Sequence, residues 1–219
     1  MKSFYLALCF LLALFFLSCS GENEEGKIRI GFSQAMTNDD WRRSMNNSMK
    51  LQASMNPEID LQIKDANYDV LTQIKQIDEL IADSVDVLIV SPIQSKPITS
   101  VVQKALNAGI PVLVVDRKTE SQQYTAYLGA DNIEVGRNAA KEIIASNIKD
   151  SIRIIEIKGL VGSSPAEERG MGFNQIIDQF KKVQITATIE GNWEKESIQN
   201  KFRQLLNDEI KVDYVFAHN

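Results

Sequence analysis

From residue 27 onward, short apolar runs alternate with stretches of helical periodicity, and this alternation restricts the fold more than any other feature of the chain. It is the signature of a parallel sheet wrapped by helices, because parallel neighbours need a crossover long enough to be a helix. Strands are predicted at 27–33, 60–65, 85–91, 111–116, 125–128, 153–158, 183–190 and 213–217. Between them, Val70, Ile74, Ile77 and Ile81 follow the spacing of a buried helical stripe. So do Ile98, Val101, Val102 and Leu106; Phe173, Ile176, Ile177 and Phe180; and Ile198, Phe202, Leu205 and Leu206. All of these are assigned to the core.

The predicted short strand 125–128 divides the alternation into two blocks. We place the chain crossing there, giving a first α/β lobe at 27–128 and a partial second lobe at 129–219. The chain stops two residues after the buried-type run 213–217, which leaves a sheet edge without a covering helix. The expectation is a C-terminally truncated second lobe, a fragment of a longer protein.

Three helix starts compete with functional readings. Ser164-Pro165-Ala166-Glu167 and Asp131-Asn132-Ile133-Glu134 both read as capping boxes, and Asn192 as the cap of a third helix.

The segment 110–118 carries the sharpest chemical signal. Val112 to Val115 read as a strand buried on both faces, and it ends in an opposite-charge pair, Asp116 and Arg117. In open α/β sheets ligands bind at the carboxyl ends of the strands. A carboxylate beside a guanidinium offers acceptors and a fork of donors to a polyhydroxylated molecule; a surface ion pair or a turn cap is the alternative. Ser33 with the loop to Trp41, Ser91, His218 and Asn219 stand at the other strand exits. Trp41 and Trp193 are flat apolar faces suited to the C–H face of a sugar ring, or else aromatics packing on their own lobes.

Catalytic signatures are missing. There is no glycine-rich dinucleotide fingerprint and no phosphate-cradling loop, and the lone His218 has no cysteine to join it. We expect a protein that is not an enzyme and that needs no metal or other cofactor.

At the N-terminus, Lys2 precedes an apolar run from Phe4 to Leu17, the length of a signal-peptide core and short for a membrane span. Residues 1–19 are read as a signal peptide and 20–26 as a polar tether. Without its first 18 residues the chain loses one basic residue of 24 against 29 acidic ones, for a net charge of −6. Nucleic acid is therefore an improbable partner.

Together, 110–118, Gly129-Ala-Asp-Asn-Ile-Glu-Val-Gly136, Glu168-Arg-Gly-Met-Gly-Phe173 and Val215-Phe-Ala-His-Asn219 resemble the periplasmic sugar-binding proteins of the ribose-binding and LacI-like type. The likeness runs from Ile28 to the end. It implies a two-lobed α/β fold, with parallel sheets flanked by helices, that closes on a monosaccharide-like ligand. By position it implies ligand contacts at Trp41, Ser91, Asp116 and Arg117 on the first lobe, and at Arg169, Trp193 and Asn219 on the second.

The chain departs from ribose binders at three points: Ser91 stands for a common asparagine, Arg42 for a second aromatic, and Ala130 for a hydroxyl residue. Phe16-Leu17-Ser18-Cys19 similarly resembles the lipobox of bacterial lipoproteins, which implies lipidation at Cys19 and a membrane-anchored place in the cell envelope. The implied partner is an ABC permease, the alternative being the kinase of a hybrid two-component sensor. A flavodoxin-like or Rossmann-like enzyme is the competing class.

Overall fold

A computed structural model describes residues 26–146 and 150–218. The expected signal peptide, Cys19 and Asn219 lie outside the described residues. The elements run β1 (Ile28–Gln34), α1 (Asp40–Ser54), β2 (Ile59–Asp65), α2 (Val70–Ala82), β3 (Val87–Val90), α3 (Ser95–Asn107), β4 (Val112–Val115) and β5 (Ala126–Leu128). They continue with α4 (Asn132–Ser146), β6 (Ile152–Lys158), α5 (Ser164–Ile177), β7 (Val183–Glu190), α6 (Lys195–Asn207) and β8 (Tyr214–Ala217). The strands form two all-parallel sheets, ordered β2-β1-β3-β4-β5 and β7-β6-β8. We call each sheet with its helices a lobe.

The first sheet buries side chains on both faces, as a parallel sheet must. Leu88, Val90, Val112 and Val114 meet Ile77, Leu80, Ile98, Val101 and Val102 of α2 and α3. Phe32, Ile89 and Val115 point the other way, toward Met45 and Met49 of α1. The second core gathers Ile152, Ile154, Val183 and Phe216 under Ala140, Ile143, Phe173 and Ile177 of α4 and α5. The α4–α5 contact is close enough to need glycine at two points. A Cβ on Gly136 would lie 2.0 Å from the Arg169 carbonyl, and one on Gly172 would lie 2.0 Å from that of Ile133.

The loop 35–39 leads as expected from β1 to Trp41, which lies in the first turn of α1, capped by Asp39, whose carboxylate accepts from the Arg42 N–H. Several expectations are corrected. α6 buries no residue fully, and Leu206 is 48% exposed. Phe180 is exposed too, because α5 ends at Ile177 and the chain turns there. Ser163, not Ser164, occupies the cap of α5, and Glu194, not Asn192, that of α6. Asn192 instead adopts a left-handed backbone. Asp131 does serve its helix, accepting from the Glu134 N–H at 3.0 Å.

Candidate ligand-binding site

The carboxyl ends of β1, β3 and β4 bring Gln34, Ser91, Asp116 and Arg117 to one edge of the first sheet, and the first turn of α1 lays Arg42 across them. Arg42 is almost fully buried. Its Nη1 donates to Gln34 Oε1 at 2.6 Å and to Ser91 Oγ at 3.0 Å, and its Nη2 donates to Asp116 Oδ2 at 2.7 Å. Behind it, Gln34 Nε2 donates to Asn46 Oδ1, while Gln73 donates to the Ser91 carbonyl and accepts from the Ile93 N–H. This polar lattice fixes the side chains around Asp116, since each buried group that lost its partner would cost roughly 1–3 kcal/mol.

Asp116 has a left-handed backbone, φ 63°, an uncommon conformation for a residue with a side chain. Its N–H donates to the Leu128 carbonyl, and its own carbonyl accepts from the Tyr127 hydroxyl. The carboxylate keeps 26% of its side chain exposed. Arg117, next in the chain, is buried, and its Nη1 donates to the carbonyls of Pro92 and Ile93. Burial and the neighbouring Arg42 charge push its pKa down to about 9, against the pull of Asp116, so it stays a cation at neutral pH. Arg117 Nε and Nη2 have no hydrogen-bond acceptor among the described residues.

Across the cleft, Trp193 sets its indole 4.6 Å from the Arg117 guanidinium, a cation–π contact between lobes. Its Nε1 is also buried without an acceptor among the described residues. Arg169, on α5, donates from Nε to Asn132 Oδ1 at 2.9 Å and from Nη1 to the His218 carbonyl. Burial lowers its pKa, and Asp116 opposes the shift across the cleft. His218 is buried with Nε2 3.0 Å from Glu156 Oε1. At the cleft mouth the Tyr68 hydroxyl donates to the Asn192 carbonyl at 3.4 Å.

The expected residues therefore take different places. Asp116, Arg117 and Trp193 come together, and Arg169 stands near enough to feel the Asp116 charge. Ser91 is fully buried beneath Arg42 rather than open to the cleft. Trp41 is 57% exposed, with Arg42 5.4 Å from its ring centre. Trp193 faces the Arg117 guanidinium. Gln34 and Tyr68 were not anticipated, and Arg42 was expected only as a replacement for an aromatic, not as the residue that holds Asp116. A signal for Arg42 was available: three residues after the capping Asp39, it must fall in the first helical turn.

The arrangement combines one carboxylate acceptor, guanidinium donors from both lobes and an indole face. These are complementary to a small, oxygen-rich molecule.

The model of the periplasmic binding protein domain matches residues 30–219, most of the chain. The chain belongs to the periplasmic binding protein family.

Within this family it is 29% identical to the ribose import binding protein of Bacillus subtilis (strain 168), over 92% of this chain and 64% of that protein. It is 26% identical to the galactofuranose-binding protein of Escherichia coli (strain K12), over 88% of this chain and 62% of that one. Among solved structures it is similar to the fructose-binding periplasmic domain of a hybrid two-component system, with a TM-score of 0.82 and 36% identity over 88% of this chain and 63% of that one. The arabinose-transporter binding protein of Shewanella sp. ANA-3, solved with arabinofuranose, gives a TM-score of 0.79 and 28% identity over 87% and 64%. The chain thus spans a little under two thirds of the length of these relatives. The parallel sheets flanked by helices expected from the alternating sequence are those of the periplasmic binding protein fold.

Proposed function

We propose that this periplasmic binding protein chain binds a sugar outside the cytoplasm, without chemical conversion, by closing its two lobes around the ligand. The observation that carries the reading is the cleft itself. The fixed Asp116 carboxylate and the unpaired Arg117 donors lie opposite Trp193 on the other lobe. A sugar hydroxyl can donate to the carboxylate and accept from the guanidinium at once, while its C–H face packs on an indole. Contacts from both lobes favour the closed state.

Asp116, Arg117, Arg169, Trp193 and Trp41 are the proposed contacts, with Ser91 supporting Arg42 from below; Asn219, outside the described residues, is added by the resemblance alone. Arg42, where a second aromatic was expected, is engaged by Gln34, Ser91 and Asp116 and so orients Asp116 toward the ligand. D-Fructose and furanose sugars head the candidate ligands, on the names of the relatives. Delivery to an ABC permease, from an anchor at a lipidated Cys19, is the proposed role. The 36% identity to a sensor's fructose-binding domain supports a second reading, as the input domain of a hybrid kinase.

Calorimetric titration of the full-length soluble protein against D-fructose, D-ribose, L-arabinose and D-galactose tests the reading. Heat with at least one sugar, abolished in Asp116→Ala and with the sugar recovered unchanged, is expected. Silence across the panel would remove the sugar assignment, and unaltered binding in Asp116→Ala would remove the site.

A further inference from the structure

Each half of the candidate site runs without a spacer into a residue that reaches the opposite lobe. Lys118 directly follows the Asp116–Arg117 pair, and Glu168 directly precedes Arg169. Lys118 Nζ donates to both oxygens of Glu168, at 2.8 and 3.0 Å, and the Lys118 backbone N–H donates to Ser164 Oγ at 2.7 Å. Ser164 thus accepts from the other lobe instead of capping its own helix. Beside it, the Ser95 N–H donates to the Gly162 carbonyl at 2.9 Å. The Lys118 and Glu168 side chains are only 23% and 17% exposed, so this pair is screened less than those on the open surface.

Apolar packing between the lobes is slight here. The two large cores each belong to one lobe, and among the described residues Leu160 is the one of the second lobe in the small cluster with Ala35, Ala66 and Ile93. A small, mainly polar contact between lobes is of the kind that opens and closes. A pair linked covalently to the groups facing the ligand is placed to report on that motion and to bias it.

We infer that Lys118, Ser164 and Glu168 form a latch that holds the lobes closed. They are positioning residues, which act on the ligand through lobe closure and not by touching it. The inference rests on the sugar-binding reading for its ligand but not for the closure itself. A ligand that draws Asp116, Arg117 and Arg169 together brings the latch partners into register, and the latch then slows reopening.

The test uses the full-length soluble protein with D-fructose as the probe. Dissociation is followed by stopped-flow fluorescence for wild type, Lys118→Met, Glu168→Gln and the double variant. Each single variant is expected to release fructose roughly fivefold faster, and the double variant no faster than either single, because one interaction is lost in all three. Ser164→Ala, which leaves the charges in place, is expected to accelerate release about two- to threefold. Added salt should speed release from wild type and not from the double variant.

Unchanged dissociation, or single effects that multiply in the double variant, would overturn the latch. Small-angle scattering without ligand at low salt separates the two readings. If fructose does not bind, a more compact wild type than double variant still supports the latch, and coincident curves then overturn it.

Discussion

The two lobes solve the same problem with different reserves. The first covers both faces of a five-stranded sheet and ties its ligand-facing edge together with the Arg42, Gln34, Ser91, Asn46 and Gln73 lattice. The second has three strands and one main core under α4 and α5, while α6 lies against β7 with no residue fully buried. The geometry of this edge is therefore held by the first lobe's own side chains. The second side supplies Trp193, on a left-handed turn, and Arg169, held by Asn132 and the His218 carbonyl, as a wall brought up to a prepared surface.

The largest expected effect breaks the weaker lobe. Phe173 is fully buried and stacks on Phe216 with ring centroids 3.9 Å apart, at the centre of the one main core the second lobe has. Phe173→Ala should cost about 4 kcal/mol, lost burial plus cavity. Each lobe holds one tryptophan, so urea unfolding of Trp41→Phe and Trp193→Phe backgrounds can follow the lobes separately. The transition reported by Trp193 should move to lower urea, and that reported by Trp41 should move less.

Next comes Arg42→Met, aimed at the stronger lobe. It leaves Ser91 Oγ without its Arg42 donor, Gln34 Oε1 with only the Ala35 N–H, and the Asp116 carboxylate without its close cation, Arg117 Nε being 3.8 Å away. Removing one partner of a buried ion pair costs about 3 kcal/mol, and here the Trp41 transition should carry it. Fructose affinity should fall as well, because Asp116 loses its fixed orientation. An unshifted Trp41 transition would mean the lattice does not stabilise the first lobe.

The contrast also explains what was legible in the sequence. The strands were visible because both sheets are parallel and their members read as apolar runs. α1 was not, because its two fully buried residues are Arg42 and Asn46, and only Met45 and Met49 of the helix pack on the sheet core. α6 misled in the opposite direction. Ile198, Phe202, Leu205 and Leu206 have the spacing of a core stripe, yet they rest on a three-stranded sheet with little surface to receive them. Ser164 had the sequence of a cap, but a sequence pattern cannot show that Lys118 from the other lobe would claim its hydroxyl. Asp116 and Arg117 could be found because a charge pair ending a buried strand is a local feature; their support by Arg42 depends on tertiary placement.

A smaller effect sharpens the comparison through pH. Burial raises the Glu156 pKa, but the hydrogen bond with His218 and the Lys158 charge outweigh it and hold the carboxyl below its ordinary value. A carboxyl depressed on folding stabilises the folded state above its unfolded pKa, and that contribution fades as pH falls below about 4.5 through the folded value. The Trp193 transition should therefore weaken on acidification through this window. In Glu156→Gln this part of the loss should disappear.

The smallest effect tests whether α6 belongs to the core at all. Leu206 has the spacing of an interior residue but is 48% exposed, and the helix around it has no fully buried neighbour. Replacing it with glutamine keeps a good helix former at the same position and removes apolar surface that is already largely in water. The expected change in the Trp193 transition is under about 0.5 kcal/mol, the range of ordinary surface substitutions. Ile198 differs, because it packs on Gly191, where a Cβ would come within 2.6 Å of its side chain. Ile198→Ala should thus cost more than Leu206→Gln although both lie on the same predicted stripe. Equal costs would mean that α6 is anchored along its whole length, and the second lobe would then be as firmly built as the first.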